Sequence, residues 1–500
     1  MSGQPFQEML DQSRTVCDQG ITVSPGKADL YLVSANISIL QAQTKTEKGE
    51  DPVLELEGCI EKARAALAVD PHNAFGFRML GEAFRQRGIY VMDKGQNPDR
   101  DFQSAIDFNR QAVAARPNHG VNHFYLGWAY WSLGEYQLVN GESPIQSYDL
   151  AAGCYTKVLE LSQPTARIYN SLANVFLSKG EYLAIQGQNP IPVLNQAIET
   201  YQRALELNPN LYGALINTAT AFTDIIAYKI DHGQDPSAEF EASIRFYERG
   251  IAANPKNPIA YNNFAQVYMQ KAQYLADQKQ DPLPLLNQAL ETLAKGLKIR
   301  DNDAYTYLYI GRAHLIEASY QTGIKQDPAA ALTSAIQAFQ HAQELNPTFF
   351  EAWSHEGQAQ AIALEWLLDT GQPFSEHIFA KAQTVFRKTI ELNKEYSAAH
   401  NQLAKLQWLR ARWLIAQKKE ALATLNSGLE EIKQAIDLKG DNPEFHITQG
   451  KLFALKAQIQ KDPVSANQLR EQARQSFTKA VELNPEVKAD VDEILKDLNR

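Results

Sequence analysis

The residues with the most obvious chemical potential recur in short loops. Residues 94–98 read Lys-Gly-Gln-Asn-Pro, residues 186–190 read Gln-Gly-Gln-Asn-Pro, and close variants end at Pro52, Pro144, Pro236, Pro282 and Pro328. A glycine followed by polar residues and an Asp or Asn suits a phosphate-cradling loop, a set of carboxylate metal ligands, or a turn between helices. The first fails because none of these loops carries the Gly-Lys-Ser/Thr that a phosphate loop needs at its helix start. The second fails on spacing, since Asp51, Asp235, Asp281 and Asp327 sit in separate copies and cannot converge on one ion. The ten histidines form no His-Glu-x-x-His motif, and Cys17, Cys59 and Cys154 form no Cys-x-x-Cys. No spacing suggests a Ser-His-Asp or Cys-His arrangement. The expectation is a chain that is not an enzyme and uses no metal or cofactor.

The loops keep time. Their prolines (Pro52, Pro98, Pro144, Pro190, Pro236, Pro282, Pro328) fall 46 residues apart. The glycines keep the same beat from Gly3 through Gly49 to Gly233, then Lys279 and Lys325 stand in before Gly371. A second anchor, written Leu-Asn-Pro in its fullest form, includes Pro71, Pro117, Pro209, Pro255, Pro347 and Pro485; Gln163, Asp301, Lys394 and Gly440 fill the other beats. Ten residues beyond every one of these anchors before Pro485 the residue is Ala or Gly, as at Gly81, Ala173, Ala265, Gly357 and Gly450. Small side chains at fixed positions let helix axes approach to the near end of the usual ~8–10 Å. Self-similarity at a fixed period is the signature of a repeat array.

Each repeat reads as two helices. Helix A follows the anchor, with apolar residues at helical spacing such as Tyr261, Phe264, Ala265 and Tyr268. Helix B opens at the loop proline, with Asp281 as a candidate N-cap and Pro282 as a first helical residue. The loop glycine suits a left-handed helix end. The third chemistry is therefore favoured: the loop stops one helix and starts the next.

The pattern aromatic-x-x-Leu-small-x-x-aromatic, then small-x-x-x-aromatic, then Pro resembles the tetratricopeptide repeat (TPR) along nearly the whole chain. It is fullest at Tyr169, Leu172, Ala173, Phe176, Ala197, Tyr201 and Pro209. The units here are longer than the usual 34 residues. The added dozen residues lengthen helix A and the start of helix B, and an aromatic marks the extension at Tyr90, Tyr136, Tyr182, Tyr228, Tyr274, Tyr320, Trp366 and Trp413. We expect it to pack the added turns against the next unit. Long units with such loops also resemble the TPR regions attached to bacterial serine/threonine protein kinases, although no kinase motif is present. The resemblance implies an all-α, right-handed superhelical solenoid of antiparallel helix pairs. The expected division is a half repeat over 1–25 with helix B only, ten units over 26–486, and a capping helix over 487–500. Gly3-Gln4-Pro5-Phe6 aligns with Gly371-Gln372-Pro373-Phe374, so a fragment, or a first helix supplied by another segment or chain, is expected.

The same resemblance implies function on the concave face lined by helix A, at positions three before, one after and four after the small residue. These give Arg78 and Arg85; Phe124, Trp128 and Trp131; Asn170 and Asn174; Asn262 and Gln266; Arg312; and Asn401 and Lys405. Asn amides can bond an extended peptide backbone, and clustered aromatics suit an apolar anchor. The implied function is a non-enzymatic protein- or peptide-binding scaffold. The rivals are the interaction or sensor region of a multidomain kinase and a structural solenoid that self-associates through its N-terminal half repeat.

Composition narrows the partners. The 500 residues are 44% hydrophobic and 21% charged, the proportions of a globular chain. The net charge of −10 argues against a nucleic-acid or anionic-membrane surface spread over the whole molecule. Three cysteines and an N-terminus without a basic or apolar leader pattern point to a reducing, cytoplasmic setting.

Overall fold

The computed structural model describes residues 4–498, and every regular element among them is helical. The chain divides into two compact units, residues 1–255 and 256–500. In the first unit, α1 (Gln4–Val23) precedes five pairs: α2 (Ala28–Glu47) with α3 (Val53–Val69), α4 (Ala74–Asp93) with α5 (Asp99–Ala115), α6 (Gly120–Val139) with α7 (Ile145–Leu161), α8 (Ala166–Ile185) with α9 (Ile191–Leu207), and α10 (Tyr212–Asp231) with α11 (Ser237–Ala253). The second unit repeats the plan with α12 (Pro258–Asp277) and α13 (Leu283–Leu297), α14 (Ala304–Gly323) and α15 (Ala329–Leu345), α16 (Phe350–Asp369) and α17 (Glu376–Leu392), α18 (Ser397–Ala416) and α19 (Leu422–Leu438), and α20 (Pro443–Ile459) and α21 (Pro463–Leu483). A short 3₁₀ turn (Pro485–Val487) and α22 (Lys488–Leu498) follow. Among the described residues, no helix is long and apolar enough to cross a membrane. Gly3, on which the alignment of the first loop partly rests, lies outside the described residues.

Within each unit, helix B packs against helix A of its own pair and against the next helix A. Within each unit, successive A helices also touch, as α4 does α6 and α16 does α18. In each unit the A helices thus form one layer and the B helices a second. The small residue after each anchor sets this spacing. A Cβ built on Gly311 would lie 2.4 Å from the Phe339 ring, and one on Gly357 2.6 Å from Phe386. Ala173 is fully buried in a cluster with Tyr201.

The loops are helix punctuation. Asp51, Asn97, Asn189, Asp235, Asp281 and Asp327 each accept a backbone N–H two residues on, at 2.8–3.0 Å. Helix B therefore opens one residue later than expected: Pro282 is the cap residue and Leu283 the first helical one. Asp281 makes a local turn bond of the Asx type rather than capping a helix itself. The loop prolines beside these residues are buried, which fixes the loop onto the helices it joins. Two of the extension aromatics face the other way from the expectation. Tyr136 on α6 meets Phe102 on α5 at 6.0 Å, and Trp413 on α18 stacks on Phe374 at 5.0 Å, each belonging to the preceding pair.

Helix A ends in a left-handed residue. Gly49, Gly95, Gly141, Gly187, Gly233 and Gly371 have φ between 62° and 76°. Lys279, Lys325 and Lys418 occupy the same conformation at 60°, 60° and 55°. An L-residue is disfavoured there by roughly 1–2 kcal/mol, offset in part by the lower entropy it loses relative to Gly. Lys279→Gly should therefore raise stability by about 0.5–1 kcal/mol. A shift of the urea midpoint to lower concentration would contradict this reading of the loop.

Candidate binding groove

The A-helix layer can be read position by position. Three residues before the small residue, the side chain turns inward between helices in several pairs. Asn262 is buried, donating to Asp303 at 2.8 Å and accepting from Thr306 at 2.8 Å. Asn401 is 1% exposed. Neither presents its amide to a groove, contrary to expectation: both are buried, and Asn262 is bonded to the neighbouring pair. Arg85, four after the small residue, is also buried. It forms a fork with the Glu82 carboxylate at 2.9 and 2.7 Å, and its guanidinium lies 3.6 Å over the Trp128 ring.

The remaining first-unit candidates cluster on α4, α6 and α8. Arg78 lies over Phe75 and Tyr125 at 4.6 and 5.3 Å. Phe124 meets Trp128 edge-on at 6.1 Å and carries Arg167 at 4.9 Å. The Trp131 indole N–H donates to the Ser178 hydroxyl at 3.3 Å. Asn174 accepts from the Tyr201 hydroxyl at 2.6 Å and from Asn217 at 3.0 Å, while the half-buried Asn170 leaves its side-chain oxygen without a partner. These side chains are half-buried and knit the layer together. In the second unit, Gln266 is half-buried, and Arg312 lies 5.8 Å from the Tyr309 ring.

Lys405 stands in a different setting. A pocket of about 270 Å³ is lined only by A helices: Gln358, Ile362 and Glu365 from α16, Lys405 and Trp408 from α18, and Lys451 from α20 are among its walls. These residues sit one, four, five and eight places after the small residue. In these three pairs that series, not the minus-three position, is the one that opens outward. Lys405 is ion-paired with Glu444, and Arg412 with Asp369 at 3.1 Å. The Lys451 ammonium has no carboxylate within salt-bridge reach among the described residues; it lies 5.3 Å from the Trp408 ring centre, with the Arg412 guanidinium 4.7 Å from the same ring. Burial, and then the nearby Lys405 charge, hold the Lys451 pKa below its ordinary value. Lys451 and Arg412 were readable in the sequence as charges at plus one and plus eight, but the plus-eight position lies in the added turns that the shorter repeat lacks.

The same series is acidic in the first unit. Glu135 and Glu181 occupy plus eight on α6 and α8, and Asp224 occupies plus five on α10. Glu135 accepts from the Tyr148 hydroxyl at 2.9 Å. Burial, then the Glu135 charge, pushes Glu181 up to about 7. Burial, then the Glu181 charge, pushes Asp224 up to about 8, and one Asp224 oxygen has no hydrogen-bond partner.

Two histidines in the first turn of an A helix serve the helix start. The ring nitrogens of His123 and His446 lie 2.7 and 3.0 Å from the anchor carbonyls of Pro117 and Gly440. The Trp353 indole makes the same bond to Pro347 at 3.1 Å. The Cys59 and Cys154 thiols are raised by burial, the latter to about 12.

Paired helices, a small-residue seam and a layer of successive A helices define the class: an all-α solenoid of TPR-like helix pairs. No protein-family model matches the chain, and no curated protein does. Solved structures similar to it include the C-terminal part of a TPR repeat-containing protein from Cytophaga hutchinsonii, at 14% identity over 64% of this chain and 99% of that one, with a TM-score of 0.39. The human IFIT1 dimer with PPP-AAAA is similar at 17% identity, over 95% and 94% of the two chains, with a TM-score of 0.38. YrrB, a TPR protein with an unusual peptide-binding site, is similar at 16% identity over 50% and 97%, with a TM-score of 0.28.

Proposed function

We propose that this chain is a non-enzymatic protein-binding scaffold that receives an extended segment of a partner along its A-helix layer. The observation that carries this is the pocket shared by α16, α18 and α20, where a half-buried lysine without a carboxylate partner adjoins an indole face. A lysine held out of water gains most from a carboxylate brought in by a ligand. Trp408 beside it supplies the rigid amphipathic contact enriched in interface hot spots. The segment that fits is one with an acidic residue next to an apolar one.

Peptides selected on the full chain from a random display library should be enriched in that pair. Lys451→Ala and Trp408→Ala should each weaken the selected peptides tenfold or more, a loss of about 1.4 kcal/mol. Circular dichroism should show the fold intact. Trp128→Ala should act differently, lowering stability because it uncovers the buried Glu82–Arg85 pair while leaving peptide affinity unchanged. Equal affinity of the Lys451→Ala protein for the selected peptides would overturn the proposed pocket.

A further inference from the structure

A second cleft lies outside the A-helix groove, and the repeat itself marks it as unusual. It opens between α15 and α17 over the side of α16, has a volume of about 400 Å³, and is floored by Gln343, Glu356 and Gln360. Each of these breaks the repeat. The position of Glu356 holds Leu80, Leu126, Leu172, Phe264, Ile310 or Leu403 in six other pairs, and a charge in none. The position of Gln360 is Phe84, Tyr130, Phe176, Phe222, Tyr268 or Phe453 in six others, and Ser38, His314 and Gln407 in the remaining three. The position of Gln343 is aliphatic in every other helix B, as at Leu67, Val113, Leu205 and Ile390. Three core positions have thus turned polar together in one place. Local rules broken in concert mark a site better than any single substitution does.

The three residues are buried, at 8%, 5% and 4% exposure in chain order. They form one network. One Glu356 carboxylate oxygen accepts from Gln340 at 2.9 Å and from Gln360 at 3.2 Å, and the other accepts from Gln343 at 2.8 Å. All three donors are neutral amides. No Lys, Arg or His lies within salt-bridge reach of Glu356 among the described residues. A buried carboxylate held only by neutral donors lacks its counter-charge. An ionised carboxylate offers about four lone-pair sites, and three are used here. The side-chain oxygen of Gln360 is buried and accepts nothing. The floor is therefore poor in free donors and rich in acceptors, with Trp353 as a wall.

We infer that this cleft is a binding site for an organic cation with N–H donors, an alkylammonium or guanidinium group. The donors would meet the Gln360 oxygen and the remaining Glu356 lone pair. The charge would balance Glu356, and the alkyl part would lie against Trp353 and Val385. The group can come from a small amine or from a Lys or Arg side chain of a partner. This site shares no residue with the α16–α18–α20 pocket, so neither reading depends on the other.

Calorimetric titration of the full chain separates the outcomes. Butylammonium and agmatine represent the small-molecule source, acetyl-Gly-Arg-Gly-amide and acetyl-Gly-Lys-Gly-amide the side-chain source, and butyrate tests for the opposite charge. At least one cationic probe should bind saturably at millimolar concentration, and butyrate should not. The stronger class of probe identifies the source. Glu356→Gln keeps the shape, removes the charge, and should weaken binding tenfold or more. The triple variant Gln343→Leu, Glu356→Leu, Gln360→Phe restores the repeat's usual residues. It should fold with an equal or higher Tm and bind no probe. Three results would overturn the inference: no saturable binding of any cation, butyrate binding through Lys381 and His377 at the rim, or undiminished amine binding by a folded Glu356→Gln protein.

Discussion

Asp224→Asn is expected to stabilise the protein at pH 9 and to change it little at pH 4. In an unfolded chain an Asp titrates near 3.9. In the fold, burial and the neighbouring Glu181 charge push Asp224 up to about 8. The folded state therefore holds this proton more tightly than the unfolded state does. Its stabilising contribution is full below about pH 4, is lost progressively as pH rises toward 8, and stays lost above that. Asn resembles the protonated form, so the substitution restores at high pH what ionisation removes. Every tenfold gain in proton affinity on folding corresponds to about 1.4 kcal/mol, which puts the stabilisation at pH 9 at a few kcal/mol. Glu181, pushed up to about 7, adds a second loss that is complete earlier in the rise. The two carboxyls titrate as a pair, so Asp224→Asn should also ease the ionisation of Glu181. Urea midpoints at pH 4 and pH 9 check this. An equal change in midpoint at both values would show that Asp224 does not carry the predicted proton.

Phe339→Ala should cost about 3–5 kcal/mol, the range for truncating a fully buried phenylalanine. Phe339 of α15 fills the space left by the missing Cβ of Gly311 on α14, so Gly311→Ala should cost about 1–3 kcal/mol by overpacking. The two losses should not add. Once the ring is gone the new methyl has room, and the double variant should be more stable than the sum of the singles predicts, by about 0.5–3 kcal/mol. Strict additivity in urea unfolding would mean that glycine is needed at Gly311 for its backbone rather than for the ring it meets.

The helices were legible because every pair states them again. A single Tyr-x-x-Leu-Ala is weak, but the same small residue ten places after each anchor is strong. The loop chemistry was legible for the same reason, although the start of helix B was placed one residue early: Pro282 fits both the cap and the first turn, and only the Asp281–Leu283 bond separates them. The groove was harder to read. The minus-three rule came from shorter repeats, and it selected Asn262 and Asn401, which are buried. The outward series continues to plus eight, into turns for which the shorter pattern gives no guidance, and that is where Glu135, Glu181, Glu365 and Arg412 stand. Glu356 was visible as a carboxylate at an apolar position. What made it informative, the joint change at Gln343 and Gln360, is spread over two helices and emerges only when they are brought together.

Among the described residues of each unit, every helix pair packs chiefly against its immediate neighbours. Such a stack behaves mechanically as a row of springs in series, each seam adding its own compliance. A ligand held at once by α16, α18 and α20 would lie across two of those seams and act in parallel with them, like a splint. Its occupancy would be felt as stiffness: smaller thermal bending over residues 358–451, and a greater force to draw those three helices apart.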